Sequence, residues 1–398
     1  MKQFFIACSF LTISNYMMGQ NIVFWTPTNL HGTIIDNTTS VRAEALGKNT
    51  ITLNGVRTAF ENPATISPGD DKLQIALNYL KGSPVYPKAY YPFLGVSYRI
   101  LPKVTASLTT HHYIDPDSYW SAEIGGQDFD TEKKAHHTYS VGLAAEVLEG
   151  LHVGLSGNLM QDEEIKGQTT SKDFIMNLGV IYDKKVKFFK NNSSISDENF
   201  RVAASLFNVL MDGQTIQRQS EAVWQYRDMP IIARAGLAYG FSLPLKPAFA
   251  QKSKKLKSAP QTIDLSARLQ YGNWLKNSKH IYDEYNFHTH IGIGLEAVAL
   301  KLLAVRLGYF TESRIVAKNP VPGTRYATKD KRKGLSWGLG AIIPAKDWSK
   351  GKLPFEIRFD LLLKNHPDLL DESISTRSTP EFTDKKLQFG IGIELAIK

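Results

Sequence analysis

The sequence is poor in cysteine and in long apolar runs. Its 398 residues include one cysteine, Cys8, which excludes a disulfide scaffold and a zinc site built from several cysteines. Beyond the N-terminus, no run reaches the roughly 18 apolar residues that a membrane-spanning helix needs. The chain is nevertheless 42% hydrophobic, which excludes extensive disorder. Its formal charge of +9 suits an anionic partner, but the basic–aromatic interleaving typical of nucleic-acid binding is absent.

Residues 1–20 have the organisation of a secretory signal peptide. Lys2 supplies the positive charge, an apolar stretch follows from Phe4 to Ile13, and small or polar residues lead to Gln20. Cleavage near Gln20 would leave a mature chain without cysteine. A lipoprotein acceptor role for Cys8 is the less favoured alternative, because the leader before it is too short. An exported chain of this kind is periplasmic, secreted or an outer-membrane barrel.

Long segments of the chain alternate between apolar residues and small or polar residues. From Leu387 to Ile397, every second residue is leucine, phenylalanine or isoleucine, and glutamine, glycine, glutamate or alanine stands between them. Alternate side chains of a strand point to opposite faces, so each segment has one apolar face. A soluble sandwich also alternates. Segments about ten residues long, with charges and glycines on the polar face, favour a barrel that crosses a membrane.

The segments can be counted along the chain. They lie at residues 72–80, 91–100, 103–113, 136–147, 151–160, 172–183, 200–210, 230–241, 262–272, 286–298, 302–312, 334–343, 353–363 and 385–397. An even number of strands is usual for bacterial outer-membrane barrels. We therefore predict an all-β fold, a transmembrane antiparallel β-barrel of about 14 strands over residues 72–398. Residues 21–71 lack sustained alternation and are predicted to form an N-terminal plug.

The predicted connections alternate in length. Short turns, such as residues 101–103 and 148–150, are expected at one end of the barrel, and longer polar loops, such as 114–135 and 211–229, at the other. The lysine-rich link 184–199 is at the end where short turns are expected, but it is longer than they are. It is interpreted as a solvated turn, with docking to an acidic periplasmic partner or to phospholipid head groups as the alternative.

Residues 42–66 carry a resemblance to a known family. They read RAEALGKNTITLNGVRTAFENPATI, and the step Asn62-Pro63-Ala64 before the first strand is the most specific part. The segment resembles the N-terminal signature of the long-chain fatty-acid transporter (FadL-like) superfamily of outer-membrane barrels. Within that superfamily it is most similar to the PorV/PorQ-type proteins of Bacteroidetes type IX secretion. The resemblance implies a fourteen-stranded barrel whose N-terminal segment folds inward as a hatch.

No residue pattern indicates a catalytic site. Gly154 to Gly157 lacks the spacing of a nucleophile elbow, and the glycine pairs near residues 292, 338 and 390 lack the rest of a dinucleotide fingerprint. We interpret these glycines as places where the barrel wall is thin because the plug approaches closely. We expect no enzymatic activity and no cofactor.

Charged residues on the inward faces are the candidate functional residues. They are Arg99, Glu146, Arg234, Arg268, Glu296, Arg306, Arg358 and Glu394. Because unpaired buried charges are unfavourable, we expect these side chains to pair in the lumen. The alternative is a charged constriction that selects what passes.

Histidines gather at the predicted outer ends of the strands. His111 and His136 are expected to face each other across one hairpin, with His112 and His137 beside them. Imidazoles at such spacing bind transition metals in other proteins. Rim histidines more often contact water, so we predict no metal site.

The sequence thus predicts a non-enzymatic protein of the cell outer membrane. The resemblance implies a PorV/PorQ-like component of type IX protein secretion that binds or passes cargo. Its partners would be outer-membrane lipid, other secretion-system proteins and secreted cargo, and not nucleic acid. The alternative is a FadL-like transporter that takes up a hydrophobic small molecule. That function needs an apolar pocket beside the hatch, whereas the inward faces are expected to be polar. A soluble exported β-sandwich is a third hypothesis.

Overall fold

A computed structural model describes most of the chain. The described residues are 38–81, 89–115, 120–124, 127–131, 134–163, 171–189, 194–210, 214–216, 225–227, 231–245, 261–276, 286–315, 329–345, 349, 353–365 and 387–397. The predicted signal peptide, residues 1–20, lies outside them. Within the described ranges, no helix combines the length and the apolar character needed to cross a membrane.

The secondary structure is almost entirely β. Among residues 38–72, the structure has the α-helix α1 (Val41–Ala45) and the 3-10 helices η1 (Val56–Thr58) and η2 (Pro63–Ile66) before the first strand. The strands are β1 (Leu73–Lys81), β2 (Tyr90–Leu101), β3 (Val104–Asp115), β4 (Trp120–Ile124), β5 (Gln127–Thr131), β6 (Lys134–Leu148), β7 (Leu151–Glu163), β8 (Ser171–Lys185), β9 (Ser196–Phe207), β10 (Gln214–Ile216), β11 (Gln225–Arg227), β12 (Ile231–Pro244), β13 (Thr262–Lys276), β14 (Asn286–Ala299), β15 (Leu303–Ile315), β16 (Lys329–Ile343), β17 (Phe355–Asn365) and β18 (Leu387–Ile397).

Fourteen of these strands form one closed antiparallel barrel, which confirms the predicted fold class. The ring closes because β1 pairs with β2 on one side and with β18 on the other. Each predicted segment coincides with one barrel strand. The two short hairpins, β4–β5 and β10–β11, lie in links that were expected to be loops. Their strands are too short for a periodic pattern to be recognised.

The two faces of the wall differ as the alternation predicted. On β14, Ile293 and Leu295 point outward and are 46% and 51% exposed. Gly294 and Glu296, which alternate with them along the strand, are buried. The same division holds along β18. A wall that exposes leucine and isoleucine around a closed ring is suited to a lipid surrounding, because water would leave this apolar area unfavourably hydrated.

Residues 38–71, here called the inner segment, lie within the ring. Its α1 packs against β1 and β15–β18, η1 against β1 and β2, and η2 against β3 and β6–β8. The four remaining strands also contact it, for example through Arg201 of β9, Gly236 of β12, Gln270 of β13 and Glu296 of β14. A buried segment that contacts every strand of a closed ring must occupy its interior.

The barrel has two distinguishable ends. The turn end carries the tight connections, such as Leu148 to Leu151 and Ala299 to Leu303, together with the start of β1 and the end of β18. The loop end lies opposite, where β3 leads to the β4–β5 hairpin and β9 to the β10–β11 hairpin. These two names locate the site below.

Glycines make room for the inner segment, as the sequence predicted. A Cβ atom on Gly292 would lie 2.1 Å from the carbonyl oxygen of Gly47, and one on Gly338 would lie 2.7 Å from the Cβ of Ala45. Gly47 itself has φ +69°, and a Cβ there would meet the carbonyl oxygen of Tyr309 at 2.4 Å. The inner segment thus touches the wall backbone to backbone.

Replacing Gly47 by alanine should destabilise the protein by about 2–4 kcal/mol. The estimate combines the left-handed backbone conformation with a clash that must displace the wall. Urea unfolding of the protein in detergent micelles would measure it. Gly69→Ala is the matched control, because Gly69 has φ +106° with nothing within 4 Å of its added Cβ. If the two substitutions destabilised equally, the close approach at Gly47 would have no energetic importance.

Candidate functional site

Charged side chains join the inner segment to the wall in the turn-end half of the lumen. Glu296 lies at the centre. Its two carboxylate oxygens accept hydrogen bonds from Arg42, Nε–Oε1 at 2.9 Å and Nη2–Oε2 at 2.5 Å, and Oε1 also accepts one from Arg306 Nε at 2.7 Å. The Nη2 atom of Arg268 lies 3.8 Å from Glu296 Oε2. One buried carboxylate is therefore shared by three guanidinium groups.

The contacts continue from Arg306 around the wall. Arg306 Nη1 lies 2.7 Å from Asp360 Oδ1, and the other oxygen of Asp360 accepts a bond from Arg57. Arg57 Nε then lies 2.9 Å from Glu394 Oε2. We call this set the arginine–carboxylate network, and its members are Arg42, Arg57, Arg268, Glu296, Arg306, Asp360 and Glu394. Two of its arginines come from the inner segment and its three carboxylates come from the wall.

The structure places the predicted lumen residues in different surroundings. Arg268, Glu296, Arg306 and Glu394 belong to the network. Arg358 pairs with Glu356 at 2.5 Å, and Arg99 donates to the carbonyl oxygen of Gly69. Glu146 lies at the rim, 3.7 Å from the exposed Lys103. The positive charge of Arg234 lowers the pKa of Glu61 in the inner segment.

Sequence reasoning missed the partners that the inner segment supplies. Arg42 and Arg57 had no predicted role, because a segment without periodicity gives no indication of which side chains point to the wall. The available signal was the presence of arginine, lysine and glutamate in residues 42–61, within a segment that has to be buried.

A second charged cluster lies nearer the loop end. Lys364 Nζ is 2.6 Å from Glu44 Oε2, and both side chains are 0% exposed. Lys48 Nζ is 2.5 Å from Glu312 Oε1. The ring of Phe310 lies beneath both ammonium groups, with its centroid 4.3 Å from Lys364 Nζ and 5.3 Å from Lys48 Nζ. These contacts again join α1 and its following turn to the wall.

Two carboxyl groups of the inner segment respond to burial in opposite ways. Burial alone would raise the pKa of Glu44, but the charges of Lys364 and Lys48 and the backbone N–H of Thr38 lower that pKa to about 2. Burial raises the pKa of Glu61, and the N–H of Thr39 and the charge of Arg234 offset this only in part. Glu44 is therefore held ionised in the folded protein, and Glu61 is shifted toward its neutral form.

The lowered pKa of Glu44 predicts a pH dependence. A depressed folded-state pKa stabilises the fold above the unfolded value of 4.5, and this contribution is lost as the pH falls toward 2. The free energy of unfolding of the wild type should therefore exceed that of Glu44→Gln near pH 6, and the difference should shrink between pH 5 and pH 2. Glu61, whose pKa is raised, contributes equally to both proteins. A pH-independent difference would contradict the prediction.

The Asn62-Pro63-Ala64 step fixes the inner segment to the opposite side of the wall. Asn62 caps η2, since its Oδ1 accepts from the N–H of Ala64 at 3.0 Å, and its Nδ2 donates to the carbonyl of Ile51 at 3.1 Å. The step lies directly on Gly154 and Gly179 of the wall. A Cβ on Gly179 would overlap Asn62 Oδ1 at 1.8 Å.

The inward faces near the loop end carry two apolar clusters, contrary to the expectation of polar faces throughout. One buried cluster joins Leu80, Tyr91, Tyr113 and Leu362 of the wall with α1. A second joins Met160, Ile175, Phe207 and Ile232 of the wall with Phe60 of the inner segment. The expectation failed because the strands with the clearest alternation, β14 and β18, do not contribute to either cluster.

The turn-end half of the lumen is polar. A cavity of about 640 Å³ lies there, bounded by the inner segment and by Arg201, Arg268, Arg358, Asp264 and Glu394 among others. The lumen therefore differs along the barrel axis. Apolar clusters lie beside the Lys364–Glu44 and Lys48–Glu312 pairs toward the loop end, whereas the turn-end half is polar and charged.

The histidines pair in a different way from the prediction. His112 lies opposite His137, with their Nδ1 atoms 2.8 Å apart, whereas His111 lies opposite Thr138. The register differs by two residues from the predicted pairing, so His111 and His136 share the inner face, where both are buried, but do not lie opposite each other. Among the described residues, no group of three or more histidine, cysteine, aspartate or glutamate side chains is placed to hold a metal ion.

Together these features define a class of structure, a closed fourteen-stranded barrel whose lumen is occupied by its own N-terminal segment. No family model and no curated protein matches the sequence. Several solved structures are similar over most of their length. The toluene transporter TodX of Pseudomonas putida is 12% identical, with 89% of this chain and 96% of that chain covered and a TM-score of 0.43.

Two further solved structures are also similar over most of their length at low sequence identity. A FadL homologue of Pseudomonas aeruginosa is 10% identical, with 91% of this chain and 98% of that one covered and a TM-score of 0.45. The monoaromatic hydrocarbon channel CymD is 10% identical, with 91% and 97% covered and a TM-score of 0.41. At such low identities and scores, the function of this chain has to be argued from its own residues.

Proposed function

We propose that this chain is a non-enzymatic outer-membrane β-barrel that takes up a hydrophobic small molecule from the loop end. The observation that carries the proposal is the apolar lining of the lumen at that end, formed by Leu80, Tyr91, Tyr113 and Leu362 in one cluster and by Met160, Ile175, Phe207 and Ile232 in the other. The apolar outer wall supports placement in a membrane, and the predicted signal peptide and an even strand number support the outer membrane.

The route through the barrel follows from the positions of the apolar clusters near the loop end and of the charged network in the turn-end half. A hydrophobic molecule that leaves water is stabilised by about 25 cal/mol for each Å² of apolar surface that it buries. The loop-end clusters are therefore the favourable place for it once Val41, Ala45 and Phe60 of the inner segment, which now fill them, move aside. The arginine–carboxylate network lies further along and holds the inner segment across the lumen. Passage to the turn end therefore requires movement of the inner segment, and we propose a gated route in place of an open pore.

Uptake of radiolabelled oleate tests the proposal. The chain is expressed in the outer membrane of a bacterial host that lacks its own fatty-acid transporter, and cell-associated label is counted. Expression should raise uptake above that of the empty vector, and Tyr91→Asn on the inner face should reduce it severalfold. Tyr98→Asn is the matched control, because Tyr98 is on the outward face and 46% exposed. Correctly folded protein without oleate uptake would refute the proposal for this ligand class.

A PorV/PorQ-like role in type IX protein secretion is the second candidate. The observation that favours it is the occupied lumen, since a protein that binds cargo at its rim and loops needs no open passage. Deletion of the gene should then abolish secretion of cargo while leaving oleate uptake unchanged, and partners should copurify from detergent-solubilised outer membrane. Retained secretion would refute this role.

A further inference from the structure

A short arm continues β8 past the barrel wall at the turn end. Residues 184–189, here called the arm, read KKVKFF, and the side chains of Lys184, Lys185 and Lys187 are exposed. Phe188 and Phe189 are 63% and 51% exposed. Two exposed phenylalanines beside three exposed lysines are unusual on a surface that contacts only water.

The arm has a fixed position because Glu198 holds it. The N–H of Phe188 donates to Glu198 Oε2 at 2.9 Å, and the N–H of Val186 donates to the backbone carbonyl of Glu198 at 3.0 Å. The hydroxyl of Tyr239 donates to the same Glu198 Oε2 at 2.7 Å. The ring of Phe188 packs edge-on against Phe200, with centroids 6.3 Å apart. The arm is thereby attached to the outward faces of β9 and β12.

The arm lies where the apolar outer surface of the barrel ends. On β8, the outward side chains of Phe174, Leu178, Val180 and Tyr182 are each 39–40% exposed and lead along the strand to the arm. Aromatic rings at the end of such a surface favour the membrane interface, and lysines next to them extend their ammonium groups toward the head groups.

The acidic residues that flank the arm on β8 and β9 are directed elsewhere. Asp183 pairs with Arg201 on the inner face, and Glu198 binds Tyr239 and the arm's own backbone. Asp197 is exposed but lines the turn-end cavity. The three lysines of the arm therefore present their positive charge beside an apolar surface, which is the arrangement that complements an anionic lipid.

We propose that the arm binds the anionic head group of a phospholipid in the leaflet at the turn end of the barrel. The lysines would contact the phosphate of a head group that carries a net negative charge, and Phe188 and Phe189 would lie among the upper acyl carbons. An acidic protein would be attracted by the lysines alone and would leave the two phenylalanines without an apolar partner. The inference rests on the membrane placement in the proposed function, and it does not depend on what the lumen carries.

Native mass spectrometry of the full chain in detergent micelles tests the proposal. The protein is titrated with phosphatidylglycerol or with phosphatidylcholine of the same acyl chains, and bound lipids are counted. The wild type should bind phosphatidylglycerol at least about tenfold more tightly, because each basic residue near a membrane surface contributes to attraction for anionic lipid. The variant Lys184→Gln/Lys185→Gln/Lys187→Gln should lose this preference, and arginine at the same three positions should retain it.

The matched control removes the same charge at the same end of the barrel. Lys72, Lys103 and Lys301 are exposed lysines near other turns, and their replacement by glutamine should leave the preference intact. Equal losses in the two triple variants, or a wild type without preference for phosphatidylglycerol, would overturn the proposal. Failure of the wild type to fold into lipid bilayers would instead overturn the membrane placement, so the two failures are distinguishable.

Discussion

Replacing Glu296 by glutamine should release the inner segment from the barrel wall. The carboxylate of Glu296 accepts bonds from Arg42 and Arg306 and lies 3.8 Å from Arg268. Glutamine keeps the size but removes the charge, so buried guanidinium groups lose their counter-ion. Removing one partner of a buried charge pair destabilises proteins by about 3–5 kcal/mol. Arg42 is the only member of this triad on the inner segment, so its attachment to the wall should weaken most.

Two measurements follow for this variant. The free energy of unfolding in detergent micelles should fall by about 3–5 kcal/mol, and conductance in planar bilayers should show openings far more frequently than in the wild type. Glu146→Gln is the matched control, since Glu146 pairs at 3.7 Å with Lys103, whose side chain is 61% exposed. A surface pair contributes at most about 1 kcal/mol. Similar losses in both variants would show that the network does not hold the segment.

Replacing Lys364 by methionine should have an effect of similar size. The ammonium group of Lys364 lies 2.6 Å from Glu44, and neither side chain is exposed to solvent. The variant leaves the Glu44 carboxylate buried with only Lys48 nearby and should lose about 3–5 kcal/mol of stability. The second substitution Glu44→Gln removes the stranded charge, so the double variant should recover most of that loss.

The double-variant cycle separates charge from packing. Urea unfolding of the wild type, both single variants and the double variant gives the coupling energy between the two residues. Lys103→Met controls for the loss of a lysine at an exposed site. If the double variant were as unstable as Lys364→Met alone, the loss would come from the packing of Lys364 on Phe310, whose ring centroid lies 4.3 Å from Nζ.

The barrel could be predicted from the sequence, whereas the lumen contacts could not. Alternation along β18 or β14 reports directly which face is buried, because a strand repeats every two residues. The partner of a lumen charge has no such local signal. Arg57 and Asp360 are separated by 303 residues along the chain, and only the closed ring brings them together. The histidine pairs show a related limit, because a register shift of two residues leaves both faces unchanged and the alternation therefore does not reveal it.

The apolar clusters at the loop end show why the residues of one strand are insufficient to predict the surface of the lumen. Tyr91 and Tyr113 are residue types common in any β-strand, and Leu80 and Leu362 occur on strands that also carry polar inward residues, such as Asn78. They form one surface only after the strands are arranged around the ring and α1 is placed against them.

The strand β18 has two tasks, and this has a consequence for biogenesis. It completes the ring by pairing with β1, and its Glu394 lies against Arg57 of the inner segment. Both tasks join β18 to residues 57–81. A chain that lacks β18 would expose the free edge of β1 and leave Arg57 without one of its carboxylates. Closure of the ring should therefore wait until β18 has been made, and the edge of β1 stays open to wrong pairing until then.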